Sequence, residues 1–145
     1  MKRLVIDASV AMKWYFSDEE HGEKALKILE AHASDRLSLL APALLEFEMA
    51  NVMVVAKRRG RVKDEDTIGA MEGFTGLGIS FYPMDSLFKK ILGYCHVNGI
   101  SAYDAAYIAL AEDLKTDFVT ADKRLFNSTR KLTFVTWIGD LKTGL

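Results

Sequence analysis

Two stretches near opposite ends of the chain decide the fold. Residues 4–9 read Leu-Val-Ile-Asp-Ala-Ser, and residues 118–122 read Phe-Val-Thr-Ala-Asp. A short apolar run rich in β-branched residues, closed by Asp or Ser, is typical of a buried strand that leads into a helix. Because ligands bind beyond the carboxyl ends of the strands in open α/β sheets, Asp7 and Asp122 are candidate functional residues.

Between these stretches, apolar runs alternate with segments of helical periodicity. The predicted strands are 4–6, 37–41, 79–82, 117–120 and a weaker one at 133–136. The predicted helices are 10–16, 19–33, 42–59, 64 to the glycines at 76 and 78, 85–97 and 101–115. Pro42 suits a first helical turn, Gly60 a left-handed cap and Asp85 an N-cap. The alternation predicts an α/β/α sandwich with a parallel sheet of four to five strands.

Composition limits the class of protein. A chain of 145 residues, half of them apolar, fits one domain that buries a substantial core. The net charge of −1 excludes general polycationic binding of nucleic acid, although it leaves room for a local basic patch.

The single cysteine, Cys95, forms no intramolecular disulfide, which is consistent with a reducing cytoplasm. After Lys2 and Arg3 only three apolar residues precede Asp7, too few for a signal peptide or a membrane span, so we expect a soluble cytoplasmic protein without membrane association.

Four carboxylates stand where such a sheet would gather acidic charge: Asp7, Glu48, Asp104 and Asp122. If they converge, each close pair repels by roughly 4 kcal/mol at about 4 Å for an effective dielectric near 20. A divalent cation would compensate this charge, and oxygen-only ligands suit Mg²⁺ or Mn²⁺. The four residues together therefore predict metal-dependent hydrolysis of a phosphodiester.

Each of the aspartates has an alternative explanation as a helix cap. Asp7 and Asp122 are well placed to accept hydrogen bonds from the first amides of a following helix. Asp104 follows Ser101 at capping-box spacing, so its carboxylate could reach back to the Ser101 amide. Taken singly, capping explains each aspartate, and the functional interpretation depends on the set of four.

Glu48 is harder to explain by local structure. Its neighbours three and four positions away on the helix are Leu44, Leu45, Asn51 and Val52, an apolar face with one amide. Asn51 is therefore the predicted supporting partner of Glu48. Glu46 competes for the same role but has no polar helical neighbour, so Glu48 is preferred.

These residues lie in segments that resemble a PIN domain. The order and spacing of four fragments are similar to those of VapC-type ribonuclease toxins: residues 5–10 (Val-Ile-Asp-Ala-Ser-Val), 41–52 (Ala-Pro-Ala-Leu-Leu-Glu-Phe-Glu-Met-Ala-Asn-Val), 103–111 (Tyr-Asp-Ala-Ala-Tyr-Ile-Ala-Leu-Ala) and 118–125 (Phe-Val-Thr-Ala-Asp-Lys-Arg-Leu). The resemblance covers essentially the whole chain and implies one PIN-like nuclease domain over residues 1–145.

The resemblance also implies roles for individual residues. Asp7, Glu48, Asp104 and Asp122 match acidic positions that bind Mg²⁺ or Mn²⁺ and catalyse RNA cleavage, and the spacing from Pro42 and to Asn51 favours Glu48 over Glu46. Ser9 and Thr120 match hydroxyl positions that accompany the carboxylates, although local turn and helix hydrogen bonds explain them equally well. Lys123 and Arg124 adjoin the site and are candidates for RNA contacts.

The choice of RNA as substrate comes from the resemblance alone, because hydrolysis by metal-bound water does not need the ribose 2′-hydroxyl. The resemblance further implies a cognate antitoxin protein and a homodimer. Two alternatives are a receiver-type phosphoacceptor and a PIN-like scaffold that binds RNA or a partner without cutting. The absence of adjacent acids after the first strand disfavours the phosphoacceptor. The presence of all four acids disfavours the scaffold.

Overall fold

A computed structural model describes residues 2–142. The ends of the predicted domain, Met1 and residues 143–145, lie outside the described residues. The strands are β1 (Lys2–Ile6), β2 (Leu37–Pro42), β3 (Ser80–Tyr82), β4 (Asp117–Thr120) and β5 (Val135–Trp137). The helices are α1 (Ala8–Ala11), α2 (Gly22–Ala33), α3 (Leu44–Arg58), α4 (Asp64–Thr75), α5 (Phe88–Asn98), α6 (Ala102–Asp113) and α7 (Lys123–Ser128), with 3₁₀ turns at Met12–Trp14 and Ile138–Asp140. Among these helices none is long and apolar enough to cross a bilayer.

The five strands form one parallel sheet in the order β3-β2-β1-β4-β5, which confirms the predicted α/β class. The chain moves outward from β1 through β2 to β3, then returns to place β4 on the other side of β1. The strand order therefore reverses between β1 and β4, and such a reversal opens a crevice at the carboxyl ends of the two strands. Asp7 and Asp122 follow these two strands.

Helix α6 lies at the centre of the core. Residues 105–111, rich in alanine, are all buried, and the helix contacts β1, β2 and β4. Small side chains let the helix approach the sheet closely, where Leu4, Val5 and Ile6 are also buried. The amino end of α6, which carries Asp104, is thereby fixed relative to the carboxyl ends of the central strands.

Several predicted boundaries are wrong by a few residues. Helix α2 begins at Gly22 rather than at 19, because a turn with His21 at φ 62° precedes it and a Cβ on Gly22 would lie 2.7 Å from the Ser17 carbonyl oxygen. Pro42 ends β2, pairing with Tyr82, instead of opening α3. Asp85 lies in a turn and does not cap α5, which starts at Phe88.

The carboxyl-terminal third also differs in detail from the prediction. Helix α7 was not among the predicted helices, and β5 occupies 135–137 rather than 133–136. Gly60 does adopt a positive φ of 72°, two residues after the end of α3, as predicted. Helix α7 has only six residues, too few to show a helical period, although its cap at Asp122 was anticipated.

Candidate active site

Asp7 is a buried carboxylate at the carboxyl end of β1. Ile6 pairs with Val119, so Asp7 and Thr120 come next on the two adjacent strands. The side chain is 7% exposed and accepts a 3.3 Å hydrogen bond from the Val10 amide as the N-cap of α1. Its predicted capping role is therefore real, but capping needs only one of the two carboxylate oxygens.

Two hydroxyl groups, those of Ser9 and Thr120, hold the Asp7 carboxylate in place. Ser9 Oγ donates to Asp7 Oδ1 at 2.5 Å, and Thr120 Oγ1 donates to Oδ2 at 2.6 Å. Each hydroxyl in turn accepts a backbone hydrogen bond, Ser9 from the Ala121 amide at 2.8 Å and Thr120 from the Asp122 amide at 3.1 Å. Both hydroxyl protons are thus directed to Asp7, and the predicted supporting residues Ser9 and Thr120 lie against the carboxylate.

The environment of Asp7 shifts its proton equilibrium toward the protonated form relative to an exposed aspartate. Burial raises the pKa of the carboxyl from 3.8 to about 6. Hydrogen bonds from Ser9, Thr120 and the Val10 amide act in the opposite direction, and the charge of Glu48 adds a further rise. A buried carboxylate that needs compensating positive charge is a common property of metal and catalytic sites.

Glu48 faces the site from α3. Its Oε1 accepts a short hydrogen bond from the hydroxyl of Tyr107, a buried residue of α6 whose ring stacks on Phe118 at 5.7 Å. Partial burial raises the pKa of Glu48, the Tyr107 hydrogen bond lowers it, and the charge of Asp104 raises it. Glu48 is therefore electrostatically coupled to both Asp7 and Asp104.

The partner that the sequence suggested for Glu48 is incorrect. Asn51 is exposed, and the described residues 2–142 include no hydrogen bond between Asn51 and Glu48. Tyr107 takes this role because α6 packs centrally and carries its hydroxyl toward α3. The sequence did contain a signal for Tyr107, which stands three residues after Asp104 and carries the one polar group in the buried run 105–111 of this helix.

Asp104 and Asp122 form the outer part of the site. Both line a cavity of about 250 Å³ together with Arg124. Asp104 is half-buried, and burial followed by the charge of Asp122 raises its pKa, while the Ser101 hydroxyl lowers it. Asp122 is exposed and caps α7 by accepting a 3.1 Å hydrogen bond from the Leu125 amide.

The capping-box explanation of Asp104 holds only in part. The Ser101 hydroxyl accepts the Asp104 amide at 3.1 Å and caps α6. The reciprocal hydrogen bond, from the Ser101 amide to the Asp104 carboxylate, does not occur among residues 2–142. Asp104 instead lines the cavity that it shares with Asp122.

The electrostatic couplings link the four carboxylates in series, Asp7 to Glu48, Glu48 to Asp104, and Asp104 to Asp122. Their donor atoms are all oxygen, which fits hard cations such as Mg²⁺ or Mn²⁺. Among residues 2–142, however, no group of three or more Asp, Glu, His or Cys side chains is close enough together to hold a metal ion. The hydroxyls of Ser9, Thr120 and Tyr107 hold two of the four acids instead.

Two basic residues adjoin this site. Arg124 lines the cavity that contains Asp104 and Asp122. Lys123 places its ammonium 3.6 Å from the ring centroid of Trp137. A larger, mostly apolar cavity of about 670 Å³ lies between α3 and α4 and is lined by none of the four carboxylates, so its size does not identify it as the reaction site.

Comparison with known proteins yields consistent matches. The family model described as PIN domain matches residues 4–132. VapC ribonuclease Mb0985 from Mycobacterium bovis is 34% identical over 122 residues, which are 84% of this chain and 87% of the relative. Ribonuclease VapC3 from Pyrobaculum aerophilum is 28% identical over 127 residues, covering 85% and 92% of the two chains.

A solved structure supports the fold. The crystal structure of PAE2754 from Pyrobaculum aerophilum superposes with a TM-score of 0.63 and 22% sequence identity. The match covers 95% of this chain and 92% of that one. The likeness in fold therefore extends over nearly the whole of both chains.

Proposed function

The chain belongs to the PIN domain family, and we propose that it is an Mg²⁺- or Mn²⁺-dependent endoribonuclease, the toxin of a type II toxin–antitoxin pair. Residues 1–145 would act as a single PIN-like nuclease domain. The observation that carries the proposal is the placement of four carboxylates around the reversal of strand order, with Asp7 hydrogen-bonded to Thr120, Glu48 hydrogen-bonded to Tyr107, and Asp104 and Asp122 in one cavity. Relatives that are named VapC ribonucleases support RNA as the substrate class.

Asp7, Glu48, Asp104 and Asp122 are the residues that would hold the cation. A bound divalent ion supplies a water of lowered pKa and compensates charge on the phosphate oxygens. The protein's own residues prepare this site, since the Ser9 and Thr120 hydroxyls orient Asp7. Ionised carboxylates are the form that a cation needs, so proton uptake by Asp7 should oppose metal binding.

Charge on the surrounding surface supports binding of a nucleic acid strand. Arg124 lines the cavity with Asp104 and Asp122, where it can contact a phosphate next to the one that is cleaved. The four carboxylates do not themselves discriminate RNA from DNA. We therefore propose RNA on the strength of the relatives, and treat DNA as a comparison substrate.

The proposal extends to partners and location. We propose a cognate antitoxin protein and a homodimer, because the relatives bear the name of VapC ribonucleases. Cys95 is a free, partly buried thiol, which suits the reducing cytoplasm proposed for this chain. A small DNA-binding protein encoded beside this chain, and its copurification with it, would test the antitoxin proposal. Sedimentation of the isolated chain would test the dimer.

The decisive experiment is RNA cleavage under controlled metal. Labelled single-stranded RNA and DNA of the same sequence are incubated with the protein in EDTA, Mg²⁺ or Mn²⁺. We expect cleavage of RNA with either metal and none in EDTA. Asp122→Asn should abolish cleavage, whereas Asp85→Asn, an exposed aspartate in a turn, should preserve it.

Other outcomes would separate the alternatives. Cleavage that persists in EDTA, or that Asp122→Asn leaves intact, contradicts the proposed mechanism. RNA binding without cleavage by a folded protein in both metals supports the non-catalytic scaffold instead.

A further inference from the structure

Trp137 lies one strand away from the acidic site. It is the last residue of β5 and pairs in register with Thr120, whose hydroxyl holds Asp7. The ring is partly exposed. Trp137 therefore emerges at the same edge of the sheet as the carboxylates, one strand beyond β4.

The surroundings of Trp137 fix the position of its ring. A Cβ on Gly139 would lie 2.2 Å from a ring atom, so glycine is needed there for the indole to pack against the backbone. Lys24 Nζ donates to the Gly139 carbonyl at 2.6 Å and anchors this turn. His21 contacts the ring edge-on, with centroids 5.2 Å apart and planes at 86°. Two segments of the chain, the start of α2 and the turn at Gly139, thus orient one partly exposed indole.

Lys123 occupies the face of this ring. Its ammonium lies 3.6 Å from the Trp137 centroid and 5.3 Å from that of Phe126. Lys123 directly follows Asp122, yet among residues 2–142 no carboxylate forms an ion pair with it. The cation is held beside the acidic site by aromatic rings, and its charge stays free to meet an anion.

We propose that Trp137 and Lys123 form a subsite for one nucleotide of the RNA strand, in which the indole stacks on a base and the ammonium binds the adjoining phosphate. This inference rests on the proposed ribonuclease function. Stacking of a base on an aromatic side chain is generally stronger than an exposed cation–π contact, so a base can displace the lysine from the ring. The released ammonium can then bind a phosphate of that nucleotide. In the free protein the Lys123 ammonium already contacts the Trp137 ring, so both residues are in place before RNA binds.

Tryptophan fluorescence tests the stacking directly. In Trp14→Phe protein, Trp137 is the only tryptophan, because the chain has two. Short single-stranded RNA is added in EDTA, beside inorganic polyphosphate at equal phosphate concentration. We expect RNA to quench the Trp137 emission and polyphosphate to leave it nearly unchanged. Equal responses to both, or unchanged emission while RNA is bound, would overturn the subsite.

Substitutions test the two components separately. Trp137→Leu should weaken RNA binding by about tenfold, and Trp137→Phe, which retains an aromatic face, by less. Lys123→Gln should weaken binding and lower the slope of log affinity against log salt concentration by about one. Lys89→Gln removes the same charge from an exposed position on α5 and is the matched control. Identical salt slopes for Lys123→Gln and Lys89→Gln would also overturn the subsite.

Cleavage by the Trp14→Phe protein in Mn²⁺ keeps the two proposals distinguishable. RNA that is cleaved without any response of Trp137 would show that the subsite alone is wrong. RNA that quenches Trp137 but is not cleaved would contradict the nuclease and retain the subsite. RNA that is neither bound nor cleaved would contradict both.

Discussion

The buried charge of Asp7 should make the metal-free protein less stable as the pH rises. The carboxyl has a pKa of about 6 in the folded chain, against 3.8 as its ordinary value. Between these two pH values the folded state binds more protons than the unfolded state, so the free energy of unfolding falls with rising pH. Above them, Asp7 is ionised in both states and its burial is uncompensated.

The magnitude follows from the shift in pKa. A difference of about 2 units corresponds to about 3 kcal/mol of destabilisation at neutral pH relative to the protonated state. Asp7→Asn removes the charge but keeps the shape and one acceptor oxygen. A net loss of about 1 kcal/mol is expected for the rearranged hydroxyl hydrogen bonds. The variant should therefore exceed the wild type by about 2 kcal/mol near pH 8 and fall slightly below it near pH 4.

Urea unfolding of both proteins in EDTA, at several pH values between these limits, measures this crossover. Asp85→Asn is the control, since this exposed aspartate should give a difference that does not change with pH. Addition of Mn²⁺ should raise the stability of the wild type and leave Asp7→Asn nearly unaffected. A stability difference between wild type and Asp7→Asn that stays constant with pH would refute the reasoning, because it would show that Asp7 titrates alike in both states.

Three further predictions concern the other site residues. Glu48→Gln should reduce RNA cleavage far more than Glu46→Gln, since only Glu48 is coupled to Asp7 and Asp104; equal losses in a cleavage assay would leave the assignment unsupported. Thr120→Val removes a hydrogen bond that lowers the pKa of Asp7, so the acidic limb of the pH–activity profile should move to higher pH, and an unmoved limb would count against this role. Asp104→Asn relieves repulsion, so its melting temperature in EDTA should equal or exceed that of the wild type, with a smaller rise in Mn²⁺ and with cleavage lost. A modest drop in stability with unchanged metal response and cleavage would restore the capping explanation.

The central strands and the acidic residues that follow them were predictable because they depend on local pattern. Residues 4–6 and 117–120 are apolar runs closed by polar residues, and both are strands at the reversal of strand order. The resemblance to PIN domains added the sequential order of the fragments, and the family match over residues 4–132 confirms it. The central strands can be predicted from the sequence because a parallel sheet that is buried on both faces requires continuous apolar residues.

The contacts between distant elements were not predictable in the same way. Tyr107 reaches Glu48 from another helix, and the sequence offered Asn51 because only helical neighbours were visible. Lys123 of α7 contacts the ring of Trp137 at the end of β5. Helix α7 was not predicted, and β5 was predicted two residues too early at its start. Elements of three to six residues carry too few positions for a period, so their existence depends on packing rather than on pattern.

The two hydroxyls around Asp7 also determine how the site can take up a proton. Ser9 Oγ and Thr120 Oγ1 lie 3.3 Å apart, so either can turn its proton from the carboxylate to the other hydroxyl. A protonated Asp7 can then donate to the hydroxyl that has turned, while the Ala121 and Asp122 amides keep their acceptors. The charge of the site can therefore change by one unit through the rotation of a single O–H bond, and the ends of β1 and β4 keep the same shape in both charge states.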